Sequence, residues 1–174
     1  MKNKEVLYLG VRYFILIIIG AALGLGLFYK IFTPLTVHPV SWILDFIYGN
    51  SFVESNKIFF NGIEADIIEA CVAGSAYYLL FILNLTTPMA FSKRIKSLIF
   101  LFFIFLAINL TRIIILAMLY SGGYSYFDLA HKFFWYIGST LMLVFVWFLN
   151  VKIFDIREIP VYTDFKMLLG FINS

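Results

Sequence analysis

Between Lys96 and Asp128 a single charged residue, Arg112, interrupts an otherwise uncharged stretch dominated by Phe, Leu and Ile. Such a stretch must be buried, and the rest of the chain offers little to bury it in. Of 174 residues, 63% are hydrophobic and 13% charged, where a soluble domain is roughly 45–50% apolar and about 25% charged. A monomer of this size has too much surface for its volume to hide that much apolar area from water. The composition therefore excludes a soluble globular domain, and it excludes disorder as well. The expected class is an all-α integral membrane protein.

A membrane span needs about 20 apolar residues. Stretches without Asp, Glu, Lys or Arg run from Tyr13 to Tyr29, Ala70 to Ser92, Ser97 to Phe127 around Arg112, and Phe133 to Val151. They predict a single transmembrane domain over 1–174, with about four helices near 11–32, 68–91, 97–120 and 131–151. Ile31–Leu44 also lacks charge, but Thr33, Pro34, Thr36, His38, Pro39 and Ser41 break it up. It is assigned to an outer segment, 33–67, between the first two spans. Within that segment Val37–Tyr48 reads as a short interfacial helix, because Trp42 and Tyr48 favour that depth. Asn61-Gly62 between apolar runs predicts a β-hairpin, since both central positions of a type I′ turn need positive φ. The tail, 152–174, is expected to lie along the cytoplasmic interface.

The net charge of +3 is too small to suggest nucleic acid as a partner, and the placement of the charges is more informative. With four spans, Lys2, Lys4, Arg12, Lys93, Arg94, Lys96, Lys152, Arg157 and Lys166 fall on one side. Lys30, Lys57, Arg112 and Lys132 fall on the other. Positive charge collects in the cytoplasm, so both termini are expected there, in a multi-pass protein of the cell membrane. Lys2 and Lys4 before an apolar run also resemble a signal peptide, but that run exceeds the usual apolar core of one. Gly20 and Gly24 form a GxxxG pair suited to close helix packing. The triplets Asn84-Leu-Thr86 and Asn109-Leu-Thr111 match the glycosylation pattern but fall within spans or at their cytoplasmic ends.

Cys71 is the single cysteine, so no intramolecular disulfide or cysteine-rich metal site can form, and no metal or cofactor is expected. An ionisable residue inside a span is costly and marks function by default. Arg112 lies 16 residues beyond Lys96, or about 24 Å at the helical rise. Cys71 lies 22 residues from Lys93, and His131 lies 21 from Lys152, which gives roughly 33 and 31 Å. In a hydrocarbon core about 30 Å thick, all three reach the outer side on three different helices.

Each has a plain structural reading: Cys71 as packing, His131 as an interface residue, Arg112 as a snorkelling cation. Together they fit cysteine nucleophilic catalysis. A thiolate attacks, a fixed cation stabilises the thiolate or an oxyanion, and an imidazole moves the proton. Asn109, three residues before Arg112, shares its helical face and could orient a substrate amide, the arginine or a neighbouring helix. Asp128 has capping-box spacing from Ser125 and lies one turn before His131, so it could cap the helix or orient the ring. Glu64, Asp66 and Glu69 form an acidic approach to Cys71.

These motifs, Glu69-Ala-Cys-Val-Ala-Gly-Ser75, Asn109-Leu-Thr-Arg112 and His131, resemble those of the exosortase/archaeosortase family, over roughly residues 67–135. Glu69-Ala-Cys71 and Tyr77-Tyr78 are closer to the archaeosortase branch. The family often carries Cys-Ser/Thr-Gly, whereas here glycine comes one position later, at Gly74. The chain is also shorter than most members.

The resemblance implies a membrane cysteine transpeptidase. Its partners would be exported proteins with a C-terminal signal of short motif, transmembrane segment and basic tail. Cys71 would form a thioester, resolved by an acceptor such as a lipid headgroup or by water. Arg112 and His131 would be catalytic, with Asn109, Glu69, Gly74 and Asp128 in support.

Two other classes stay open on the sequence. One is a non-enzymatic transporter or assembly subunit using Arg112 to bind a substrate or lipid phosphate. The other is thiol redox chemistry, which would need a resolving cysteine from a second protein.

Overall fold

The computed structural model describes residues 2–18 and 24–157. The protein is mostly helical, with one small antiparallel sheet inserted between its second and third helices. The order is α1 (Lys2–Ile18), α2 (Gly26–Tyr48), β1 (Ser51–Glu54), β2 (Lys57–Phe60), β3 (Ile63–Asp66), α3 (Glu69–Val72), α4 (Gly74–Thr86), α5 (Phe91–Ser121), α6 (Phe127–Phe133), a π-helical turn Phe134–Gly138, and α7 (Ser139–Ile153).

Among the described residues, three helical stretches are long and apolar enough to cross a membrane: Glu69–Thr86, Phe91–Ser121 and Phe127–Ile153. These correspond to the last three of the four expected spans.

The expected first span, 11–32, is not one helix. α1 ends at Ile18, and Gly24, with φ +51°, and Leu25 form a turn before α2 begins. Both α1 and α2 pack against α4, so two helices share the place assigned to one. Gly20 of the GxxxG pair and residues 158–174 of the expected interfacial tail lie outside the described residues.

The outer segment differs too, because α2 continues unbroken through Pro34 and Pro39 to Tyr48. A proline inside a helix removes a hydrogen bond and costs about 3 kcal/mol. Packing offsets that cost. Phe28, Phe32, Thr36, Val40 and Leu44 recur every fourth residue as a buried stripe, and both prolines lie off it. Phe32 stacks on Tyr77 with ring centroids 3.5 Å apart, and Phe28 meets Tyr78 edge-on at 5.4 Å.

The Asn61-Gly62 hairpin forms as expected. Phe60 pairs with Ile63 across the turn, with φ of +47° at Asn61 and +75° at Gly62. A third strand, β1, was not expected; it pairs antiparallel with β2, from Ser51↔Phe60 to Glu54↔Lys57. Ile58 and Phe60 point into the core, and Phe60 packs on Tyr48 at the end of α2. The sheet is thereby fixed to α2, and β3 leads after two residues into the helix that carries Cys71.

At the far end of the bundle, polar groups join α4, α5 and α7. Asn84 donates to the Ser97 hydroxyl (2.9 Å), which donates to Asn150 Oδ1 (2.9 Å). Arg94, expected to be a charge at the membrane surface, is instead 4% exposed and donates to the carbonyls of Asn84 and Thr87. These carbonyls close α4, where a helix leaves its last acceptors unpaired. Asn84 and Asn109 are both fully buried, which excludes them as glycosylation acceptors in this fold.

Candidate active site

The helix expected to carry Cys71 smoothly into the bundle is broken directly after it. α3 is one turn, Glu69–Val72, and Ala73 then takes φ +57° and ψ +38° before α4 starts at Gly74. A left-handed conformation costs a residue with a Cβ roughly 1–2 kcal/mol. The Glu69 carbonyl keeps its bond from the Ala73 N–H, but the break leaves the Ala70, Cys71 and Val72 carbonyls without the partners a continuous helix would supply. α5 supplies partners for two of them and reaches the third.

Asn109 Nδ2 donates to the Cys71 carbonyl at 2.9 Å and reaches the Val72 carbonyl at 3.5 Å. Arg112 Nη2 donates to the carbonyls of Cys71 (3.2 Å) and Ala70 (3.4 Å). The i, i+3 spacing in the sequence therefore has a direct structural use: two donors on one helical face hold the kinked turn that bears the nucleophile. Gly74 lets the break pack, because a Cβ there would sit 2.7 Å from the Tyr29 ring.

Replacing Ala73 by Gly removes the cost of the left-handed conformation. Ala73→Gly is expected to stabilise the protein by about 1 kcal/mol, read as a raised melting temperature in detergent. Ala73→Val, which is β-branched, is expected to destabilise it.

Cys71 is half-buried and lines a cavity of about 440 Å³. Arg112 and His131 line the same cavity, so the three residues counted to one depth share one space. Arg112 is 7% exposed. His131, near the end of α6, stacks on Phe127 (5.5 Å) and meets Trp135 edge-on (5.9 Å). The other walls come from β3, through Glu64 and Asp66, and from apolar residues of α5 such as Leu116 and Tyr120. A cationic donor, a thiol and an imidazole thus face a largely apolar space, where electrostatic interactions are stronger than in water.

The supporting residues separate. Asn109 is buried behind the site and holds the Cys71 turn, a backbone role rather than contact with the cavity. Glu69 is exposed on the first turn of α3 and is not on the cavity wall, unlike Glu64 and Asp66. Lys57 pairs with Glu64, whose carboxylate holds the Lys57 ammonium above its ordinary range. Asp66 has no ion-pair partner among the described residues.

Asp128 is exposed in the first turn of α6 and makes no hydrogen bond to His131, so it does not orient the ring here. The capping box also fails to form: Tyr126, not Ser125, takes the N-cap position, and no side chain caps the helix.

One site residue was missed from sequence. Ser139 accepts from Arg112 Nη1 at 2.7 Å and donates to the Phe134 carbonyl at 3.1 Å. Its distance in sequence from His131 gave no sign that the two share a wall. No protein-family model, curated protein or solved structure matches the chain.

Proposed function

We propose that the protein is a membrane-embedded cysteine peptidase or transpeptidase. It cleaves a C-terminal sorting signal of exported proteins through a thioester at Cys71 and passes the new C-terminus to a lipid or other acceptor. The observation that carries this reading is the single cavity lined by Cys71, Arg112 and His131 from three separate helical segments. The Cys71 thiolate attacks the scissile carbonyl, forming a C–S bond. Arg112 stabilises the oxyanion, and His131 gives a proton to the leaving amine. In the second half-reaction His131 takes a proton from the acceptor nucleophile, which displaces the thiol.

The resemblance to the exosortase/archaeosortase family gains support from the backbone. The second position after the cysteine, where that family often has glycine, is Ala73, and its φ is +57°. Glycine adopts that conformation at no steric cost. A left-handed residue there explains why glycine suits the position.

Phe103, Phe145 and Phe148 are among the exposed residues of the long apolar helices, and such flanks fit lipid rather than water. In the orientation we propose, with the termini cytoplasmic, the cavity opens on the extracytoplasmic side. A membrane-impermeant maleimide added to intact cells is therefore expected to label Cys71. Labelling only after permeabilisation overturns the orientation.

The test of function is co-expression with an exported substrate carrying a short motif, a transmembrane segment and a basic tail. Its processing is followed in wild type and Cys71→Ala, and processing that survives in the variant overturns the cysteine mechanism.

A further inference from the structure

We infer that Ser139 and the wide turn Phe134–Gly138 position the Arg112 guanidinium toward Cys71 and keep His131 on the same wall of the cavity. Helical register sets where His131 and Ser139 point. Eight residues separate His131 from Ser139, and eight residues of α-helix overshoot two full turns by about 80°. A π-helical turn absorbs one additional residue, which takes back about 100° and leaves the pair within about 20° of alignment. The turn falls between the two residues, and both line the cavity. Without it, His131 and Ser139 would project about 80° apart around the helix axis.

Hydrogen bonds point the same way. The Phe134 carbonyl, which opens the wide turn, accepts from both the backbone N–H and the hydroxyl of Ser139. With its proton committed there, the Ser139 oxygen presents a lone pair to Arg112 Nη1 at 2.7 Å. The guanidinium is thus held from two sides, by Ser139 through Nη1 and by the α3 carbonyls through Nη2. Ser139 is a positioning residue: it acts on the thiol through Arg112.

The inference rests on the proposed thiol chemistry of this site, yet it can be read without any sorting substrate, because Cys71 is the chain's one cysteine. The full chain in detergent is alkylated at pH 8.5 with anionic iodoacetate and with neutral iodoacetamide. The ratio of the two rates cancels the fraction of thiolate and reports the cation beside the sulfur. Ser139→Ala is expected to lower that ratio by about threefold or more, toward the value for Arg112→Gln, and Ser139→Thr is expected to restore it.

Deletion of Ile137, an exposed residue of the wide turn, leaves seven positions between His131 and Ser139, which in unbroken α-helix again stand within about 20° of alignment. The ratio is therefore expected to stay at the wild-type value, and a fall to the Arg112→Gln value overturns the role of the turn. A wild-type ratio in Ser139→Ala, or an equal fall in Ser139→Ala and Ser139→Thr, overturns the inference. A chain inactive on every sorting substrate still passes or fails this test, so failure of the proposed function and failure of the positioning role are distinguishable.

Discussion

Replacing Cys71 by Ala is expected to abolish processing of a sorting substrate, with a loss of at least about 10³-fold. The size follows from the chemistry. Without sulfur there is no thioester, and nothing else among the residues that line the cavity matches its nucleophilicity. The loss should be chemical rather than structural. Cys71 is half-buried, and its hydrogen-bonded contacts with α5 use its carbonyl, which alanine keeps. The variant should therefore accumulate to wild-type levels and melt within about 1 kcal/mol of the parent. Cys71→Ser keeps the shape with a weaker nucleophile and is expected to be nearly as inactive. The measurement is the processed fraction of an epitope-tagged substrate over time, normalised to enzyme abundance. Rates within tenfold of wild type for Cys71→Ala would move the chemistry to another residue.

What could be read from the chain alone follows the range of the forces involved. The Asn61-Gly62 turn was legible because two adjacent residues settle it, both tolerating positive φ. That Cys71, Arg112 and His131 come together was legible because helical rise is nearly constant. Counts of similar length bring them to one cavity even though the count to Cys71 crosses the end of α4. α2 was not legible. Pro34 and Pro39 signal a break, and the stripe from Phe28 to Leu44 that overrides them has value only against Tyr77, Tyr78 and their neighbours. The break at Ala73 was hidden because alanine's own preference opposes the conformation that the α5 donors and the Gly74–Tyr29 contact hold in place. Ser139 was hidden because its role depends on a wide turn that removes an offset of about 80° from His131 and on a bond to Arg112, 27 residues away in sequence.

Arg94 supplies the contrast that tests Arg112. The two lie eighteen residues apart on α5, five full turns of an α-helix, and each donates to carbonyls at the end of a helix it packs against. Arg94 serves the end of α4, away from the cavity, whereas Arg112 serves the end of α3 and also lines it. If capping were the whole role of both, neutral variants would lose stability alike and leave the rate per folded molecule unchanged. The site geometry predicts otherwise. Arg112→Gln keeps amide donors for the α3 carbonyls but removes the charge, and it is expected to slow processing by about 10²–10³-fold. Its stability should fall by about 2 kcal/mol, the scale of hydrogen bonds to a charged donor. Arg94→Gln should lose a similar amount of stability while each folded molecule processes substrate at close to the wild-type rate. Both quantities come from one preparation, by thermal unfolding in detergent and by single-turnover cleavage corrected for the folded fraction. Equal rates for Arg112→Gln and Arg94→Gln would reduce Arg112 to a helix cap and remove the cation from the mechanism.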